Sequence, residues 1–500
     1  MFKKKKQNKF ISFFMNGREN TTVKIEIFAG IATFLAMAYI LTVNPNNILW
    51  GGTADPRFAS VFIATALGAF IGTILMALLA KMPLAQAPGM GLNAIVGTIV
   101  GGAMGFSFSY GNAMFLVFVS GIIFLLLSFI PAGHDKKTGR RISLREKIFD
   151  GMPKTIRQSI PVGIGLFIAF IGLQNAKIIV DNQFTLVSLV DFNNPEFWQS
   201  GGVACSAIVA LFGLLVITIL AHYKVKGSVI LGILAATLLA IPLGVANLDI
   251  LLGKADGITW EFWHNFKNFF SSDGIFLSAF RGGFKMPEGS ILTAIMLVIT
   301  FAMIDMFDTM GTVVGCCKNA NLLDKDGKPI NYDKIMYSDS IATIAGSALG
   351  TSTVTTFVES GAGVAEGGKT GLTAFVTAIL FLLAIFLLPL FAFIPTAAAA
   401  SALIYVGVLM MKNVTDIDFD SVKHAVPAFL TIITMVLAYS ITDGIGAGIV
   451  SFVIIDLILY LIDFIKYKRG HGEKPKSEVT IVTLVVLVLF LIYFLVPTII

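Results

Sequence analysis

Pro83-Leu84-Ala85-Gln86-Ala87-Pro88-Gly89-Met90-Gly91-Leu92-Asn93-Ala94 interrupts an apolar run with two prolines, two glycines and two amides. Proline removes a backbone donor, and glycine weakens a helix by about 1 kcal/mol. The run therefore does not read as a continuous helix. On either side the chain is apolar for a full membrane thickness. The 500 residues are 56% apolar and only 13% charged, with a mean hydropathy of +0.85. A soluble chain carries about 25% charged residues. This composition excludes an ordinary soluble enzyme, a disordered chain and a collagen. Continuous apolar runs, such as 372–393, exclude a transmembrane barrel, whose strands alternate. The fold class is an all-α polytopic membrane protein.

A helix needs about 20 apolar residues to cross the hydrocarbon core. Suitable segments are 25–43, 59–80, 83–104, 113–130, 160–176, 203–221 and 228–246, then 291–314, 338–349, 354–365, 372–393, 426–440, 445–465 and 479–497. That is about fourteen transmembrane helices. A further Ala-rich piece, 397–411, reads as a partial helix or as the tail of its neighbour. The gap 247–287, with Trp260 and Trp263, reads as an interfacial loop. The net charge of +6 arises from clusters beside apolar segments, a topology signal and not nucleic-acid affinity. The lysine run at 3–6 puts the N-terminus on the cytoplasmic side, with basic loops 134–157, 224–226 and 318–334 inside. The basic loop 466–476 does not fit that alternation. The N-terminus lacks the apolar core of a cleaved signal.

One constant offset carries Thr33-Phe34 onto Thr300-Phe301, Pro88 onto Thr355 and Ala113 onto Leu380, and Pro161 to within one residue of Pro427. Two halves of seven segments each would lie in opposite orientation, a 7+7 inverted repeat. In such proteins the binding site lies where interrupted segments of the two halves meet. The mate of the opening stretch is Gly350-Thr351-Ser352-Thr353-Val354-Thr355-Thr356-Phe357-Val358-Glu359-Ser360-Gly361. The third and tenth segments are thus the expected site, because their free N–H and C=O groups become ligand contacts.

Buried acids point to the same place. Asp305 and Asp308, three residues apart in the eighth segment, share one helix face. An ionised carboxylate in mid-membrane costs at least ~2.5–3.5 kcal/mol. No basic residue lies in their segment, so they are candidate proton carriers. Glu359 is an acceptor-only group suited to adjacent N–H donors, as on a purine or pyrimidine edge. Asn93 offers a donor and an acceptor from the opposite segment. Gly91, Thr356 and Ser360 complete the candidate substrate contacts, with Asp305, Asp308 and Glu359 as the proton-coupling set. Asp456 lies deep in the thirteenth segment with no evident role.

Gly363-Val364-Ala365-Glu366-Gly367-Gly368-Lys369-Thr370 fits a phosphate-loop pattern, but its neighbours are long apolar helices and not a soluble α/β layer. It reads as a tight turn. Neither the five histidines nor Cys205, Cys316 and Cys317 are spaced as metal ligands. No metal, no cofactor and no enzyme activity are expected.

The runs Ala87-Pro88-Gly89-Met90-Gly91-Leu92-Asn93-Ala94, Asp305-Met306-Phe307-Asp308-Thr309-Met310-Gly311-Thr312 and Val358-Glu359-Ser360-Gly361-Ala362-Gly363-Val364 appear in this order. Together they resemble the adenine/guanine/hypoxanthine permeases, the AzgA-like branch of the nucleobase–cation symporter-2 (nucleobase–ascorbate transporter) family. The resemblance implies short antiparallel strands in the third and tenth segments. It implies a core domain from 1–131 and 290–411, and a gate domain from 132–289 and 412–500. It also implies proton-coupled purine uptake by an elevator-like movement of the core, across the plasma membrane, with the gate helices offering a homodimer face. By the same resemblance Glu359 binds substrate, Asp305 binds substrate or couples protons, and Asp308 and Asn93 accompany them. Uracil and xanthine branches carry a Glu in the eighth segment, and the uracil branch a His one turn later, where this chain has Asp305 and Thr309. That difference favours purines. The alternatives are another nucleobase (xanthine or uracil) or a small anion carried on the same fold.

Overall fold

The computed structural model describes residues 13–14, 21–49, 52–102, 107–134, 141–225, 227–252, 258–271, 274–324, 328–469 and 473–495. The lysine run at 3–6, on which the expected orientation rests, lies outside them, as does part of the 466–476 loop. In chain order the elements begin with α1 (Val23–Met37), α2 (Ile40–Ile48), α3 (Phe58–Leu75), β1 (Gln86–Pro88), α4 (Met90–Val100) and α5 (Tyr110–Phe129). A hairpin of β2 (Pro131–His134) and β3 (Arg141–Ser143) leads to α6 (Leu144–Gly151) and α7 (Lys154–Asn175). A second hairpin, β4 (Ile179–Asn182) with β5 (Leu186–Leu189), precedes α8 (Val203–His222) and α9 (Ser228–Ala240). Short α10 (Leu248–Leu251) and α11 (Phe262–Phe269) follow, then α12 (Ile291–Asn319) and α13 (Tyr332–Leu349). The last part is β6 (Val354–Thr356), α14 (Ser360–Ala365), α15 (Gly371–Ala384), α16 (Leu388–Ala392), α17 (Thr396–Met411), α18 (Val422–Leu437), α19 (Ile441–Lys468) and α20 (Ile481–Leu495).

Among the described residues nine helices are long and apolar enough to cross a membrane, including 396–416, and four shorter apolar helices accompany them. The chain is therefore polytopic and mostly helical. Piece 397–411 is a helix in its own right, α17. The first segment is broken: α1 stops at Met37 and α2 starts at Ile40, leaving Ala38 and Tyr39 between them. The ninth segment begins earlier than its hydropathy suggested, at Tyr332, and Asp339 lies inside it on either bound. Hairpins β2–β3 and β4–β5 were not legible, because each lies in a polar connection without alternating hydrophobicity. In the 247–287 gap Trp260 and Trp263 are exposed, while Phe262 stacks on Phe266.

The chain forms two compact units. The first comprises 1–125, 171–285 and 308–405. In it α15 lies against α1 and α3, α13 against α3, α14 against α1, and α8 against α9. Gly97 lets α4 close on the end of α2, since a Cβ there would stand 2.1 Å from the Asn47 carbonyl oxygen. Gly350, with φ +91°, ends α13 in the left-handed region and turns the chain toward β6.

The second unit comprises 126–170, 286–307 and 406–500. Here α18 packs on α19, and α20 on α19 and α6. Ser440 caps α19 by accepting from the Asp443 N–H at 3.2 Å, and Lys466 and Lys468 stand in its last turn, where the helix dipole favours cations. Ile454, Ile458, Leu461 and Ile465 form an exposed apolar stripe along α19, suited to lipid. Asp456, on the same helix, is buried and paired: Lys423 Nζ lies 2.6 Å from Oδ1, and the Ser477 hydroxyl donates to Oδ2 at 2.5 Å. Lys423 also bridges to Glu478 at 2.8 Å. This explains the one acid without a role in the sequence reading: it is structural.

Removing one partner of a buried pair strands the other charge. Lys423→Ala should therefore lower stability by about 2–3 kcal/mol, discounted for the partial exposure of the lysine. Thermal unfolding of the detergent-purified protein checks it; an unchanged midpoint would contradict the assignment.

Candidate functional site

The two interrupted segments meet as an antiparallel pair in the first unit. Gln86 faces Thr356, Ala87 faces Thr355 and Pro88 faces Val354. The ladder runs on at both ends: Gly89 N–H donates to Thr353 O at 2.9 Å, and Phe357 N–H to Ala85 O at 3.0 Å. Backbone that cannot be helical is thus satisfied across the pair, as burial in an apolar setting requires. Each strand leads directly into a half-helix, α4 or α14. The short strands anticipated in these segments are present.

Side chains lock the pair. The Ser360 hydroxyl accepts from Ala85 N–H at 3.0 Å. Thr73 on α3 bridges the edge of β1, accepting from Gln86 N–H and donating to Gln86 O, each at 2.9 Å. The Gln86 amide donates to Asp339 at 3.1 Å and to the Thr356 hydroxyl at 3.3 Å. Thr309 on α12 donates to Asp339 at 2.7 Å, so its contact with the Thr355 hydroxyl at 2.6 Å has Thr355 as donor. Asn93 is fully buried; its amide donates to Pro88 O at 3.2 Å and accepts from the Ser352 hydroxyl. Both ends of that amide are engaged by the protein itself. Gly91 is buried in the first turn of α4.

The acids stand apart from this packing. Tyr39, in the break of the first segment, donates its phenol proton to Glu359 Oε1 at 2.5 Å. Asp308 interacts electrostatically with Glu359 and Asp339. A Cβ on Gly89 would lie 3.8 Å from Asp308 Oδ2, which places that carboxylate beside the N-terminus of α4. That N-terminus has no side-chain cap, a setting that favours an anion. Asp305 is buried one turn earlier on α12. Tyr39, Gln86, Asn93, Asp339, Thr355, Thr356 and Ser360 are all buried, whereas Asp308 and Glu359 keep partial exposure. The arrangement therefore offers two acceptor-only carboxylates to an incoming group from a wall of satisfied polar side chains.

The structure places Glu359, Asp308, Thr356 and Ser360 around the strand pair, together with Tyr39, Gln86 and Asp339, which the sequence reading did not single out. Asp339 had a usable signal, an acid just inside an apolar segment. Tyr39 had none, because its partner is 320 positions away. Glu26 was also missed. It is buried on α1 and accepts from the Lys369 and Thr370 N–H groups at 3.0 and 3.2 Å and from the Thr370 and Thr373 hydroxyls at 2.8 and 2.6 Å. The phosphate-loop-like turn thus spends its donors on an internal carboxylate.

Apolar spans and a pair of interrupted segments joined as antiparallel strands define a multi-pass membrane protein. Comparison with known proteins agrees. The structure resembles the transmembrane domain of a cyanobacterium bicarbonate transporter, BicA, with a TM-score of 0.52 at 16% identity, covering 85% of this chain and 97% of that one. At that identity the likeness establishes the fold. Adenine permease AdeQ of Escherichia coli (strain K12) is 36% identical over 87% of this chain and 88% of its own length. Guanine/hypoxanthine permease PbuO of Bacillus subtilis (strain 168) is 34% identical over 87% and 92%. Residues 24–446 match the Permease family. The chain belongs to that family and is a transporter, not an enzyme.

A Cβ at Gly89 would stand 2.6 Å from Thr355 Cγ2, so Gly89→Ala must shift the strand pair. Overpacking of this kind costs about 1–3 kcal/mol, and substrate uptake should fall by roughly tenfold or more. Gly311→Ala on α12 is the control, because nothing lies within 4 Å of its Cβ position. Equal uptake by the two variants would refute the close-approach role of Gly89.

Proposed function

We propose that this protein takes up purine nucleobases, guanine, hypoxanthine or adenine, coupled to protons, across the plasma membrane. The observation that carries this reading is the partly exposed Glu359 carboxylate beside the paired strands. A carboxylate only accepts hydrogen bonds, and a purine edge can present two adjacent N–H donors to it. The named relatives, permeases for adenine and for guanine/hypoxanthine, support the same substrate class. A small anion, as the name of BicA suggests for that protein, would be repelled by Glu359 and Asp308.

In this reading Glu359 and Asp305 bind the base, with Gly91, Asn93, Thr356 and Ser360 shaping the site through backbone and hydroxyl groups. Asp305, Asp308 and Glu359 carry the coupling proton. Closely spaced acids favour sharing a proton over holding two full charges. The fourteen segments act as a 7+7 inverted repeat, and an elevator-like movement of 1–131 with 290–411 against the remaining segments exposes the site alternately. The N-terminus is cytoplasmic, and a homodimer through the gate helices fits their apolar faces. No cofactor is required beyond the proton gradient.

Radiolabelled uptake in purine-transport-deficient cells tests the reading, with unlabelled adenine, guanine, hypoxanthine, xanthine and uracil as competitors. Glu359→Gln and Asp305→Asn should each lower uptake by roughly a hundredfold or more while the protein still reaches the membrane. Wild-type uptake in both would sink the site. Dissipating the proton gradient should stop accumulation; dependence on sodium instead would contradict the coupling.

A further inference from the structure

We infer that Tyr39 is a positioning residue for the substrate carboxylate, holding one oxygen of Glu359 so that the other is presented to the ligand. The inference rests on the purine-binding reading of Glu359 and adds to it a residue from the first segment.

Three observations carry it. Tyr39 OH donates to Glu359 Oε1 at 2.5 Å, at the short end of the range for a phenol–carboxylate bond. The phenol is 1% exposed, so it cannot turn to water and has a fixed place. Glu359 itself is partly exposed and would otherwise turn about its terminal torsion. Tyr39 lies at the joint between the two helices of the first segment. α1 closes at Met37, α2 opens at Ile40, and Tyr39 sits in the joint with φ −58° and ψ −25°.

A phenol has one proton to give, and an ionised carboxylate has none. The bond therefore forms best with the ionised acid and fixes which oxygen remains for the ligand. Preorganising a side chain removes an ordering cost from binding. The titratable groups facing Glu359 are Tyr39 itself, between α1 and α2, and Asp308 and Cys316 on α12. Asp339 on α13 stands behind Asp308, and Asp305 lies one turn away on α12.

The experiment is equilibrium binding of radiolabelled guanine, hypoxanthine and adenine to the purified full-length protein between pH 5 and 9. Tyr39→Phe keeps the ring and removes the donor. Affinity should fall by roughly tenfold to a hundredfold, as for a hydrogen bond to a charged group. The acid limb of the binding curve should move to higher pH, because the ionised carboxylate has lost a donor. A purely structural tyrosine would lower stability without moving that limb. Genetically placed 3-fluorotyrosine at position 39 keeps the shape and gives a stronger donor. It should move the acid limb the other way, and it serves as the test if Tyr39→Phe does not fold. Unchanged affinity and pH profile in Tyr39→Phe, or an unmoved limb with fluorotyrosine, would overturn the inference. Wild-type protein that binds none of the three bases would overturn the purine reading and this inference with it, whereas wild-type binding with unaltered variants overturns this inference alone.

Discussion

An apolar environment offers no water to an unpaired amide, so every backbone group there needs a partner within the protein. The third and tenth segments cannot meet that need as helices, because Pro83, Pro88 and the Thr-rich run 351–356 interrupt them. They meet it together. The β1–β6 pair supplies each with the donors and acceptors the other lacks. Most of the first unit's polar chemistry is arranged around that necessity. Thr73 seals one edge, Ser360 one end, and Asp339 collects Gln86 and Thr309 from behind. Each strand leads into a half-helix, α4 or α14, beside the carboxylates of Asp308 and Glu359.

This arrangement also separates two kinds of buried acid. Glu26, Asp339 and Asp456 are sequestered and accept from donors built around them. Their charge is spent on holding elements together: α1 to the turn before α15, α13 to α12 and β1, and α19 to α18. Asp308 and Glu359 are partly exposed and face each other's charge. Carboxylates of the first kind are satisfied and inert. Those of the second kind retain capacity for a ligand or a proton. Exposure and partner count, not depth in an apolar segment, make the distinction.

The same reasoning disposes of the phosphate-loop pattern. A glycine-rich turn with free N–H groups binds an anion, whatever supplies it. In a nucleotide-binding domain that anion is a phosphate. Here the turn at 366–370 is met by Glu26. The local sequence carries the capacity, and the neighbouring element decides how it is used.

Composition and hydropathy alone determined that the chain is a polytopic helical membrane protein, because a lipid environment imposes a length and an apolarity that can be counted. They also marked the interrupted segments, since proline and glycine act on the backbone locally, and they marked Asp305, Asp308 and Glu359 as acids in an apolar setting. Tertiary structure decided which of the polar residues are occupied. It gave Asn93 two protein partners, assigned Asp456 to Lys423, and brought Tyr39 to Glu359 across 320 positions. It also decided the strand register, in which Gln86 faces Thr356. A hydrogen bond depends on two groups meeting at about 3 Å in the right direction. Local pattern constrains each group's surroundings, but only the packed fold determines which group it meets.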